Sequence, residues 1–138
     1  MVDIAYVLPW IERADADFSS ARYLAENMRP VSTEIVCFHS QQAAEKYLKA
    51  FLVYNDQEPQ KTHELTELIK QCCMFDADFS VLNQKCKYLM PFAVRTRYPG
   101  GIDPDENDMK IALTYTGDII KFTRSKIPDL PEIKIDLK

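Results

Sequence analysis

The sequence predicts an all-α protein, folded as an up-and-down antiparallel bundle of about five helices. Apolar residues recur at a spacing of about 3.6 in five successive stretches, and no segment before the C-terminal tail alternates with period two. The 138 residues include only three glycines, which fits helices better than a sheet. Short connections between the stretches favour antiparallel neighbours.

The first two helices are marked by proline and by capping residues. Helix one is predicted over about 9–28, because Pro9 suits a first helical turn and Pro30 closes the stripe that begins at Trp10. Helix two is predicted over about 33–55, with Ser32 or Thr33 as its cap.

The remaining helices are shorter or more interrupted. Helix three is predicted over about 63–74 with Thr62 as N-cap, and helix four over about 78–90, where Pro91 imposes a kink or a restart. Helix five, about 104–125, starts at a cap–proline–acid signal, Asp103-Pro104-Asp105-Glu106. It carries a second apolar stripe of Ile111, Tyr115 and Phe122.

Length and composition indicate one domain over residues 1–138: the bundle at about 9–125, a short arm at 1–8, and a tail at 126–138 that is either extended or disordered. A net charge of −4 excludes a general nucleic-acid coat and leaves room for a local basic patch. No run approaches the ~18 apolar residues of a membrane span. The N-terminus also lacks the order of a signal peptide. We therefore expect a cytoplasmic protein with no membrane association.

Metal and cofactor sites are not predicted. Cys37, Cys72, Cys73 and Cys86 form no CxxC pair, and their apolar neighbours indicate small buried thiols kept reduced. The two histidines lack acidic partners at ligand spacing.

Helix two carries more polar side chains than a plain core helix needs. His39, Gln42, Lys46 and Lys49 recur at spacings of three, four and three, which places them on one stripe. A polar stripe beside a wide apolar surface indicates a helix that packs inward and offers charge to a groove or a partner. We therefore predict a binding surface on helix two.

Three segments together resemble the HEPN domain family. They are Gln42-Ala43-Ala44-Glu45-Lys46-Tyr47-Leu48-Lys49-Ala50 on helix two, then Thr62-His63-Glu64-Leu65, then Arg97-Tyr98-Pro99 ahead of the last helix. Their order and spacing match the family over roughly residues 10–124. The resemblance implies a helical bundle that commonly forms a homodimer. It also implies a nucleotide-binding module, often paired with a minimal nucleotidyltransferase in prokaryotic toxin–antitoxin pairs.

Other members of the family are metal-independent ribonucleases with an arginine followed four to six residues later by a histidine. Here Arg95 and Arg97 lie where that arginine is expected, yet no histidine follows His63. Such a site needs a base for the 2′-hydroxyl proton and a cation for the phosphate. This chain keeps the candidate cation and lacks the expected base, so we expect no ribonuclease motif to operate.

The candidate ligand-binding residues are Gln42, Lys46, Lys49, Arg95, Arg97 and Tyr98. The four basic side chains would converge on one groove if helix two packs against the segment ahead of helix five. The alternative is that Lys49 forms an ordinary surface pair with Glu45 and that Lys46 is merely solvated. Arg97 is either a ligand contact or a structural partner of Glu45.

Glu45, Thr62 and His63 are interpreted as structural or motif residues, with His63 fixing the loop between helices two and three. The leading hypothesis is a non-catalytic module that binds a nucleotide, an RNA phosphate or a nucleotidyltransferase partner. The alternatives are a divergent ribonuclease toxin and a helical adaptor dimer without a small ligand.

Overall fold

A computed structural model describes residues 1–94 and 99–137, and five α-helices lie within these ranges. They confirm the predicted all-α bundle, and the described ranges contain no strand. None of these helices is long and apolar enough to cross a membrane. The helices are α1 (Leu8–Asn27), α2 (Thr33–Tyr54), α3 (Leu65–Cys73), α4 (Asn83–Leu89) and α5 (Glu106–Ser125). Short 3-10 helices span Ile4–Tyr6, Ala77–Leu82 and Met90–Ala93.

Helix α2 is the centre of the bundle and packs against α1, α3 and α5. Helix α1 faces it with a stripe at helical spacing, namely Ile11, Ala14, Phe18 and Ala21. Small residues let the neighbouring backbones approach α2, since Ala43, Ala44 and Ala50 are all fully buried. Most of α2, including charged side chains, is therefore enclosed by other helices.

The N-cap predicted for the third helix is wrong by two residues. Helix α3 has Glu64 at its N-cap, whereas Thr62 accepts a hydrogen bond from the Glu64 N–H at 3.1 Å. The Thr62 hydroxyl therefore closes a local turn ahead of the helix and does not accept a hydrogen bond from the first turn of α3, as an N-cap would.

The start of the last helix is also later than predicted. Asp105, and not Asp103, is the N-cap, and it forms a reciprocal capping box with Asp108 at 2.7 and 3.0 Å. Pro104 belongs to the preceding loop, where its carbonyl accepts a hydrogen bond from the Thr33 hydroxyl at 2.6 Å. A contact between distant parts of the chain thus helps to fix the helix start.

The predicted fourth helix is divided into three pieces. A 3-10 helix at Ala77–Leu82 precedes α4, and a second one at Met90–Ala93 contains Pro91 in its first turn. The restart expected at Pro91 is observed as this change of helix type, since proline cannot donate to the α-helical ladder.

The second apolar stripe of α5 packs within the chain. The Tyr115 ring lies 5.3 Å from that of Tyr88, and the Phe122 ring lies 5.0 Å from that of Phe79. The tail packs against the same core. Ile127 is buried there, and Leu130, Ile133, Ile135 and Leu137 are partly buried.

Candidate functional site

The polar residues of α2 form two clusters of the same composition, a lysine, a carboxylate and a histidine. In the first cluster the Glu45 carboxylate is 6% exposed and accepts three hydrogen bonds. His63 Nδ1 donates at 2.8 Å, Lys49 Nζ at 3.1 Å and Gln41 Nε2 at 3.3 Å. A buried carboxylate with three donors, one of them cationic, is fully compensated.

This first cluster joins α2 to the loop that precedes α3. The Gln41 side chain also donates to the His63 backbone carbonyl at 3.4 Å. Both the ring and the main chain of His63 are thus held by α2, while its side chain stays 60% exposed. His63 thus connects this loop to α2 through two hydrogen bonds.

The second cluster joins α2 to α1. Asp17 accepts a hydrogen bond from His39 Nδ1 at 3.0 Å and another from Lys46 Nζ. Burial raises the pKa of Asp17, but the hydrogen bonds from His39 and Lys46 outweigh it, so the pKa lies below its ordinary value of 3.8. Asp17 therefore stays ionised and balances the charge of Lys46.

A third polar contact continues along the interface of α1 and α2. The Tyr47 hydroxyl donates to Asp15 and accepts from Arg124 of α5 at 3.1 Å. Burial raises the pKa of Asp15, against the hydrogen bond from Tyr47 and the charge of Arg124. Burial and the contact with Asp15 likewise raise the pKa of Tyr47.

Both histidines are held in the same way. A carboxylate only accepts, so Nδ1 carries the proton and Nε2 is the ring nitrogen left for other partners. His39 also lines a surface cavity of about 500 Å³. The arrangement provides two oriented imidazoles and places the charges of Lys46 and Lys49 next to carboxylates of the same chain.

The structure divides the predicted ligand-binding residues of α2 between the two clusters. Lys46 and Lys49 lie on α2 beside Asp17 and Glu45, and Gln42 donates from Nε2 to Gln41 Oε1 at 2.6 Å. Lys49 is 7% exposed, so its pair with Glu45 is buried and differs from the ordinary surface pair considered as the alternative.

Arg95, Arg97 and Tyr98 lie outside the described residues. The residues just before them are placed: the 3-10 helix Met90–Ala93 packs against α2, and Met90 Sδ accepts a hydrogen bond from the Thr66 hydroxyl at 3.4 Å. The last 3-10 helix before this segment therefore lies next to α2 and, at Met90, contacts the first turn of α3.

Sequence reasoning missed Asp15, Asp17, Gln41 and Arg124. A signal was present for Asp17, because it follows Ala14 by three residues and precedes Ala21 by four, on the buried stripe of α1. A carboxylate at such a position needs a partner.

No group of three or more His, Cys, Asp or Glu side chains in residues 1–94 and 99–137 is placed to hold a metal ion.

The chain is similar to known proteins both in its sequence pattern and in its fold. The model of the HEPN domain family matches residues 7–126. A crystal structure of an archaeal HEPN homologue is 24% identical, with a TM-score of 0.69 over 88% of this chain and 97% of the other. The crystal structure of TT1696 from Thermus thermophilus is 23% identical, with a TM-score of 0.70 over 87% of this chain and 97% of the other. None of the curated proteins matches the chain.

Proposed function

The chain belongs to the HEPN domain family, and we propose that it is a non-catalytic binding module that holds a phosphate of a nucleotide or an RNA beside His63. The observation that carries the proposal is the cluster of Lys49, Glu45 and His63. In this cluster the buried ion pair of Lys49 and Glu45 holds the exposed imidazole of His63.

Holding His63 in place is a reason for the buried charges of Glu45 and Lys49 on the central helix. Glu45 fixes the ring of His63 through Nδ1, and Lys49 compensates the carboxylate. In the doubly protonated ring, Nδ1 donates to Glu45 and Nε2 would donate to a phosphate oxygen. A ring held in one orientation loses little conformational entropy when it binds a ligand. In this arrangement Lys49 acts indirectly, because its ammonium group is engaged by Glu45.

Arg95 and Arg97 would supply the positive charge for the phosphate. Arg95 directly follows Val94 in the sequence. The preceding 3-10 helix packs against α2, and its Met90 contacts Thr66 of α3. Arginine binds phosphate through two parallel N–H groups, which a lysine cannot do. The absence of a histidine after Arg97 in the sequence supports binding without catalysis.

A protein partner is the second part of the proposal. The family resemblance suggests a homodimer and a nucleotidyltransferase partner, and we place the protein-facing surface at the exposed apolar side chains of Met74 and Val81. They are 81% and 65% exposed in the connection between α3 and α4. Co-purification with a nucleotidyltransferase encoded beside this chain, lost in Met74→Asp with Val81→Asp, is the expected result.

Equilibrium titration of the purified chain with ATP, GTP and a short RNA tests the phosphate site. His63→Ala and Arg97→Ala should each weaken binding by about tenfold, the worth of one charge-assisted hydrogen bond. Lys70→Ala is the matched control, because Lys70 is exposed on α3 and pairs only with Glu67 among the described residues. Binding that is absent below millimolar ligand, or equal in all four proteins, contradicts the phosphate site.

A divergent ribonuclease is the second candidate function, and one observation favours it. The carboxylate on Nδ1 leaves His63 Nε2 able to accept a proton, as a base for the 2′-hydroxyl must. Incubation of total RNA with the purified chain distinguishes the two functions. Cleavage that disappears in both His63→Ala and Arg97→Ala would replace the non-catalytic proposal.

A further inference from the structure

A groove lined by three basic side chains lies apart from the two clusters on α2. It is a cavity of about 410 Å³ between α1, α5 and the C-terminal tail. Its basic side chains are Arg22, Lys110 and Lys121. Two carboxylates, Glu26 and Asp118, also line it, so what matters is which of the basic side chains they neutralise.

The two lysines of this groove have no ion pair among the described residues. Lys110 and Lys121 are eleven residues apart on α5, which is about three helical turns and keeps them on one side of the helix. Asp118 also lines the groove, but its carboxylate pairs with Lys85 at 3.6 Å. Of the two carboxylates that line the groove, Asp118 is thus paired with Lys85 and Glu26 with Arg22.

Arg22 is the third cation, and a tail residue already contacts it. One terminal nitrogen, Nη2, donates to Glu26 at 3.1 Å and to Asp136 at 3.4 Å. The Arg22 side chain is 16% exposed, whereas that of Asp136 is 68% exposed. Asp136 therefore approaches a largely buried guanidinium from the solvent side.

The tail is fitted to this groove over several residues. Leu137 lines the cavity, and its carbonyl oxygen would lie 3.3 Å from a Cβ atom added at Gly117. Glycine at this position permits the close approach of the tail to α5. Arg124 holds the tail upstream by donating to the Pro131 carbonyl. This segment lies beyond residue 126, where the family match ends.

We propose that the groove is a second phosphate-binding site and that Asp136 of the tail competes with the phosphate for Arg22. A phosphate group carries more charge than a carboxylate and offers more acceptor oxygens. A ligand with several phosphates would therefore replace Asp136 at Arg22 and extend to Lys110 and Lys121, which lie about 16 Å apart along the axis of α5. The ligand class is a polyanion, either a free nucleotide or the backbone of an RNA.

The test is titration of the full chain with tripolyphosphate, ATP and a short RNA. Asp136→Asn should tighten binding of all three by about two- to fivefold, the range expected for one surface pair. Asp129→Asn is the matched control, since it makes the same charge change in the same tail at a residue with no ion pair among those described. Lys110→Ala with Lys121→Ala should weaken binding about tenfold.

Equal tightening by Asp136→Asn and Asp129→Asn would show an effect of net charge alone and overturn the proposal, as would unchanged affinity in the double lysine variant. Tripolyphosphate that binds as well as ATP supports recognition of phosphate alone, whereas RNA that binds more tightly than both supports a strand along α5. The residues tested differ from His63 and Arg97, so each site can fail without the other.

Discussion

Removal of the Glu45 carboxylate is expected to destabilise the protein far more than removal of a surface carboxylate. Glu45→Ala leaves the ammonium group of Lys49 buried without a counter-charge, because the Lys49 side chain is only 9% exposed. Loss of one partner of a buried ion pair costs about 3–5 kcal/mol. Two further donors, Gln41 Nε2 and His63 Nδ1, lose the same acceptor.

Urea unfolding followed by far-UV circular dichroism measures the effect. Glu67→Ala is the matched control, because Glu67 forms an exposed pair with Lys70 and should cost about 0–1 kcal/mol. The double variant Glu45→Leu with Lys49→Met removes both charges and should recover most of the lost stability. The buried-pair reasoning would be refuted if the free energies of unfolding of Glu45→Ala and Glu67→Ala differed by less than about 1 kcal/mol while their dependence on urea concentration was the same.

Three further predictions concern other buried polar groups. The pKa of Asp17 in the folded protein is below 3.8, so its ionised form contributes fully to stability at about pH 5. This contribution is lost as the pH falls through the folded pKa, and the difference in stability between wild type and Asp17→Asn should therefore shrink between about pH 5 and about pH 2. Tyr47→Phe removes the hydroxyl shared with two charged side chains and should lower the free energy of unfolding by about 1.5–3 kcal/mol in urea titration. Burial raises the pKa of the Cys37 and Cys86 thiols to about 12, so a thiol reagent at about pH 8 should label one cysteine, the partly exposed Cys73, before denaturation and all four after it. Equal stability losses at about pH 5 and about pH 2, a silent Tyr47→Phe, or fast labelling of more than one thiol would each contradict the corresponding contact.

The predicted positions of α1, α2 and α5 agree with the structure because the signals for them are local. Helix α2 was predicted over about 33–55 and spans Thr33–Tyr54, and α1 and α5 agree within two residues at each end. The spacing of apolar side chains sets which face is buried, wherever the helix lies. At two of the ends that differ, Thr62 and Asp103, a turn or a distant hydrogen bond competes for the capping group. The start predicted at residue 78 also differs, because Ala77–Leu82 is a 3-10 helix and α4 begins at Asn83.

The candidate site was predicted less completely, and the reason is also physical. The sequence located Lys46 and Lys49 on one stripe of α2, and it suggested that their charge is offered to a ligand. Their partners are Asp17, a residue of another helix, and Glu45, which also holds His63 from the next loop. No spacing along α2 reports which carboxylate of α1 comes to face it.

The sequence alone determined that this chain is a helical bundle with a polar central helix and with three segments that resemble HEPN domains. Those properties depend on periodicity and on residue order, and both can be read from the linear sequence. Only the tertiary structure decided what the polar stripe of helix two meets. Electrostatic and hydrogen-bond partners are chosen by contacts between helices, and so the lysines predicted to face a ligand instead balance carboxylates that orient His39 and His63.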